Sequence, residues 1–352
     1  MAIHEVPAFQ GQAGMQTDRM IYGRVIYVTR ERVLAARGNR LIESLDGGVE
    51  WKQIGSLPVG FIEKSLMFFR LSSRLLRKGV HHFAVGESCA LVSANRDVYS
   101  LESGQKRLLE PVHGSRPLTL CAVNGAFYYG EYRSNPERST VHVWKLEEGE
   151  DKWQPVWRFE GIRHVHGVFH DSYENSIWVT TGDLDHEAGI WRTDDDFNTL
   201  EKIAGDSQQF RVVQLLFTKD HVYFGSDVPD DKNYIFRMDR NGNAVEKLMA
   251  VGSSVFYGYR VGNSLFFSTA VEPSRVNTTR YAEVWGSANG TDWKLIRKFK
   301  KDIWPMKYFQ YGQVLFPAGP GDGENLWFTP FASAHDQKSF RIPLSTFATH
   351  HL

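Results

Sequence analysis

The 352-residue chain is predicted to be all-β, a seven-bladed β-propeller, and three observations lead there. A unit of roughly 45 to 50 residues recurs, the spacing expected of propeller blades. A strand signature follows a polar turn in unit after unit: Trp51-Lys52-Gln53-Ile54, Trp153-Gln154-Pro155-Val156-Trp157, Leu200-Glu201-Lys202-Ile203, Val245-Glu246-Lys247-Leu248 and Trp293-Lys294-Leu295-Ile296. The composition, 13% aromatic with 31 Gly and 10 Trp, suits several buried sheet interfaces rather than helices with leucine periodicity.

Taken in order, the units span 22–57, 79–111, 117–159, 164–205, 210–250, 254–300 and 304–344. The third shows the grammar: Leu118 to Ala122, a turn at Asn124-Gly125, Ala126 to Tyr129, then Val141 to Trp144 and Trp153 to Trp157. The first and last units are short. Six blades are therefore the alternative, with those two units as halves of one blade joined by the chain ends, which removes the open sheet edge. A single domain over 22–344 follows, with an extension at 1–21 and a tail at 345–352.

Two turns carry a specific motif. Ser44-Leu45-Asp46-Gly47-Gly48-Val49-Glu50-Trp51 fits Ser-x-Asp-x-Gly-x-x-Trp, and Ser287-Ala288-Asn289-Gly290-Thr291-Asp292-Trp293 is a copy one residue shorter. Asp or Asn before Gly supplies the positive-φ turn, the Ser and Asp side chains bond turn amides, and the Trp packs under the next strand. On these residues the chain resembles the Asp-box, or bacterial neuraminidase repeat, propellers of the sialidase-like superfamily. The resemblance implies a propeller that acts on carbohydrate. It also implies a Phe/Tyr-Arg-Ile-Pro motif near the start of the propeller, whose Arg grips a substrate carboxylate. Here Phe340-Arg341-Ile342-Pro343 stands at the far end, in an expected closing strand, so that catalytic pattern does not transfer.

Lys+Arg and Asp+Glu balance at 41 each, which leaves no bulk positive field for nucleic acid. Cys89 and Cys121 are too few for a disulfide framework and wrongly spaced for zinc. No apolar stretch reads as a secretory signal or a membrane span, so a cytoplasmic location is expected, or a secreted one if the chain is a mature form.

Blade geometry sorts the remaining candidates. The first strand of each blade lines the channel, so residues before the first strand and after the second share one face. Turns between third and fourth strands lie on the other. The first face then receives Glu131, Asp183, Asp227 and Glu272, interleaved with Arg77, Arg116, Arg133, Arg163 and Arg211, with Asp302 at the start of the last unit. The carboxylates suit an acid and a base or nucleophile for glycoside hydrolysis. The arginine forks suit a carboxylate, sulfate or phosphate and hence an acidic glycan, although ion pairs with the same carboxylates are the alternative. Tyr132, Tyr257 and Trp304 stand ready to stack on sugar rings.

In His164-Val165-His166, alternation puts both imidazoles on one side of a channel strand. This is acid/base or metal-ligand geometry, assigned here to catalysis with no metal or cofactor. The expected function is hydrolysis of an acidic oligo- or polysaccharide. A lyase using His164, His166 or a Tyr as base, and a non-catalytic glycan- or protein-binding propeller, are the alternatives. Finally, Arg70, Arg74 and Arg77 fall at helical spacing within 61–78. That stretch reads either as a basic lid or as an interblade connection with its apolar residues packed down.

Overall fold

Strand after strand shows the burial that a stack of sheets demands. Ser176–Thr181 is buried at every position because a second strand is covered by a blade on each face. Val141–Glu147, farther out, alternates between buried and half-buried. A fully enclosed side chain such as Phe267 contributes about 1.5–3 kcal/mol relative to leaving it in water. The computed structural model describes residues 19–94, 96–102 and 105–348. These form seven four-stranded antiparallel sheets, the seven blades expected, not six.

The first strands are Arg24–Val28, Val80–Val85, Cys121–Val123, Val165–Asp171, Val212–Phe217, Val255–Val261 and Gln313–Leu315, in blades 1 to 7. The first six border a central cavity of about 660 Å3, and blade 7 lines it with Phe316 to Pro320, just after its first strand. Blade 7 is closed by the chain start. Arg19–Tyr22 pairs antiparallel with Lys338–Pro343, and it lies mostly inside the segment read as an N-terminal extension. Hence the last unit does not supply its own outer strand.

The two motif turns carry the expected bonds. Ser44 Oγ donates to Asp46 Oδ1 at 2.7 Å, and Asp46 accepts from the Val49 and Glu50 amides at 2.9 and 3.0 Å. The turn at Ser287 and Asn289 repeats this. A third turn, missed in the sequence, does the same with Thr193 and Asp195, and Phe197 at φ +66° stands where the motif has Gly. All three join third and fourth strands, opposite the face that carries the candidate residues. Arg341 of the Phe-Arg-Ile-Pro stretch bonds Gly47 O in the first of them, a structural role.

Between blades 1 and 2 the chain forms α1 (Phe61–Phe68) and α2 (Arg70–Leu75). The basic residues here are not a free lid. Arg70 and the buried Arg74 bond Asp302, Arg70 also pairs with Asp336 at 2.5 Å, and Arg74 Nε donates to Phe309 O at 3.0 Å. Nor do the apolar residues all pack down: Phe61, Ile62, Phe68 and Phe69 are exposed. No helix among the described residues is long and apolar enough to cross a membrane.

Candidate functional site at the channel mouth

One side of the mouth is built by blades 4 to 6. Asp183 follows the second strand of blade 4 and is held on both carboxylate oxygens: Arg163 Nη1 at 2.8 Å from Oδ2, Arg211 Nη2 at 3.3 Å from Oδ1. Gln208 Nε2 fixes its main-chain carbonyl at 3.0 Å. His164 and His166 each place Nε2 3.5 Å from Asp183 Oδ1, and all three residues are buried. Burial pushes the Asp183 carboxyl up, but the two imidazoles and then Arg211 outweigh it and hold it well below the usual carboxylate range.

Local backbone explains how both imidazoles meet one carboxylate. The pairing of Val165–Asp171 with Ser176–Thr181 slips between Val165 and Gly167, a bulge that re-aims His166. His166 Nδ1 then lies 3.0 Å from Val212 O, and His164 Nδ1 3.3 Å from Arg133 O. The Tyr132 ring packs on His164 with centroids 4.2 Å apart.

Arg211 continues the chain of contacts to Asp227, its Nε 3.4 Å from Oδ2 without the alignment of a hydrogen bond. Ser254 Oγ donates to Glu272 at 2.7 Å beside it. Burial first, opposed by Arg211 and aided by Glu272, pushes the Asp227 carboxyl up to about 7. Among the described residues Asp227 Oδ1 is buried with no hydrogen-bond partner. His164, His166, Asp183, Arg163, Arg211, Asp227 and Glu272 thus form one connected group.

Other candidates stand outside it. Glu131 turns back into blade 3, paired with Arg133 at 2.8 Å and with His142 at 3.2 Å. Trp304 is tied to Phe309, centroids 5.3 Å apart, and has no recorded contact with the group among the described residues. Arg116 and Tyr257 border a second cavity instead, so Arg116 does not join Arg163 and Arg211.

That second cavity is cationic. Of about 140 Å3, it is bordered by Arg24, Arg77, His81, His82, Arg116 and Tyr257, and its lining among the described residues contains no Asp or Glu. Arg24 Nη1 donates to Val80 O at 2.8 Å, and Arg116 Nη1 lies 3.2 Å from the His81 ring. Among the described residues no carboxylate comes within ion-pairing distance of either guanidinium, and Arg24 Nε has no partner. Burial brings Arg24 down to about 10, and burial with the Arg24 charge takes His82 down to about 3, so both imidazoles here are neutral. Arg24, His81 and His82 were missed from sequence. Arg24 opens the first strand of blade 1 in the position of Arg211 in blade 5, a signal that aligning the units would have exposed.

The chain is a seven-bladed β-propeller with a mouth divided into a cationic and a carboxylate half. No family model matches the sequence, and no curated protein matches it. Among solved structures it is similar to a chain of the mitotic checkpoint complex, with a TM-score of 0.54 and 13% identity over 96% of this chain and 98% of that one. A putative TolB from Agrobacterium tumefaciens gives 0.49 at 10% identity, covering 81% and 91%. The tricorn protease gives 0.47 at 12%, covering 76% of this chain and 25% of that one. At 13% identity the first likeness establishes the fold and leaves the chemistry to the site.

Proposed function

We propose that this chain is an Asp-box, sialidase-like propeller that hydrolyses an acidic saccharide at the channel mouth. The divided mouth carries the reading. Arg24 and Arg116 are half-buried guanidiniums with no carboxylate partner among the described residues, an arrangement that an anionic ligand relieves, and their planar forks match a uronate, sialate or sulfate group. Across the opening two carboxylates that share Arg211 have their protonation driven apart. Asp227, near half-protonated at neutral pH, is the acid for the leaving oxygen, and the ionised Asp183 is the fixed negative charge that orients the attacking water.

The test is calorimetric binding and turnover across a panel of acidic oligosaccharides and their neutral counterparts. Arg116→Ala should weaken the acidic ligand by about 1.5–3 kcal/mol and leave the neutral one nearly unchanged. Equal weakening of both, or no binding of any acidic glycan by the intact chain, counts against the reading. New ultraviolet absorbance in the product would replace hydrolysis by elimination. The exposed Phe61, Ile62, Phe68 and Phe69 favour a second reading, a non-catalytic propeller that docks a partner, which binding without cleavage would support.

A further inference from the structure

His164 and His166 share a feature that their acid/base assignment leaves unexplained. Each Nδ1 faces a main-chain carbonyl, Arg133 O at 3.3 Å and Val212 O at 3.0 Å. A carbonyl only accepts, so Nδ1 carries the proton and Nε2 is left with its lone pair. Both Nε2 atoms nevertheless point at the same ionised oxygen, Asp183 Oδ1. With both imidazoles in that tautomer three lone pairs converge in a buried place, and either an added proton on Nε2, the donor that holds Asp183 ionised in the ion-free site, or a cation must lie between them.

The spacing identifies what belongs there. The Nε2 to Oδ1 distances are 3.5 Å, too long for hydrogen bonds, and all three atoms lie within 4.8 Å of one another. Ligands about 2.0–2.1 Å from a tetrahedral ion stand roughly 3.4 Å apart. We infer that His164 Nε2, His166 Nε2 and Asp183 Oδ1 ligate one divalent transition-metal ion. The surrounding bonds are those of a metal site's outer shell: carbonyls fix both imidazole tautomers, and Arg163 on Oδ2 turns Oδ1 inward. Two imidazoles and one carboxylate are the donor set of Zn(II), Mn(II), Fe(II) or Co(II) rather than of Ca(II) or Mg(II). Three protein ligands leave a position for water or a substrate oxygen. Arg211 Nη2, 3.3 Å from Oδ1, is the cation that the ion must tolerate.

This inference does not depend on the saccharide reading, and its test needs no substrate. Chelator-treated full-length protein is titrated with ZnCl2, MnCl2 and CoCl2, and bound metal is counted by mass spectrometry after gel filtration. One equivalent is expected in the wild type and in His221→Gln, which alters a histidine at the far end of blade 5. In Asp183→Asn and His166→Gln the affinity should fall by more than the roughly 10–100-fold typical of losing an outer-shell partner. Should those variants not fold, the wild-type Co(II) form still decides: ligation through Nε2 predicts two hyperfine-shifted, exchangeable Nδ1 protons. Failure of the wild type to take up one equivalent of any of the three metals, uptake retained in both variants, or no such proton resonances would each overturn the inference. A shared proton would then occupy the cluster.

Discussion

Asp227 is the residue at which the chain's electrostatics are most exposed to experiment. Its folded-state carboxyl, at about 7, lies above the unfolded value, chiefly because it is buried and secondarily because Glu272 is near, with Arg211 opposing. Between pH 4 and 7 the native state therefore holds a proton that the unfolded state has released. The associated stability is fully present below the unfolded pKa and is lost as pH rises through about 7, a change on the order of 4 kcal/mol. Asp227→Asn has no proton to lose. In chelator-treated protein, urea unfolding at pH 5, 6, 7 and 8 should show wild-type stability declining relative to the variant across that window. Parallel pH slopes would remove Asp227 as the acid. The residue types at the mouth were legible because blade grammar alone places Asp183, Asp227 and Glu272 after second strands. Their partners were not, since whether Arg211 faces a ligand or two carboxylates depends on side-chain directions in three blades.

Among the elements, the motif turns act between blades. Gly48 sits where a Cβ would come within 2.6 Å of Trp327 in blade 7, Gly290 where one would meet Tyr223 Oη of blade 5 at 2.2 Å, and Phe197 packs beside Tyr128 of blade 3. Each turn thus docks on a second-strand aromatic of the preceding blade. Gly290→Ala suffers both a positive φ of 79° and that clash, whereas Gly149→Ala has a φ of 91° with nothing within 4 Å. Both should lose stability, and Gly290→Ala should lose at least about 1 kcal/mol more in denaturant unfolding, the excess being overpacking. Equal losses would mean that the turn does not brace the neighbouring blade. The Thr193 turn escaped notice because recognition leaned on Gly, while the Thr and Asp oxygens do the capping and Phe197 tolerates the left-handed conformation. Bulges at the starts of first strands were equally invisible, since an alternation rule assumes an unbroken register.

Across the whole molecule, closure is the property that no single repeat encodes. Seven units could be counted from turn and strand signals, but the outer strand of blade 7 comes from Arg19–Tyr22, more than 300 residues from its partner Lys338–Pro343. Polar side chains knit that seam in the core. Ser339 Oγ donates to Gly23 O at 2.7 Å and accepts from Val25 N at 3.0 Å, while Thr329 Oγ1 lies 2.6 Å away. Ser268 makes the simpler contact one blade earlier, donating to Val314 O at 2.7 Å. Removing the Ser339 hydroxyl leaves a buried amide and a buried carbonyl without partners, so Ser339→Ala should cost about 1–3 kcal/mol, and more than Ser268→Ala, which orphans a single carbonyl. If the ring opens first at this seam, hydrogen exchange in Ser339→Ala should accelerate in Arg19–Val28 and Lys338–Pro343 before it changes in blades 3 to 5. Uniform acceleration around the ring would instead make the propeller one cooperative unit with no weakest joint, and an unchanged exchange pattern would show that Ser339 does not secure the closure.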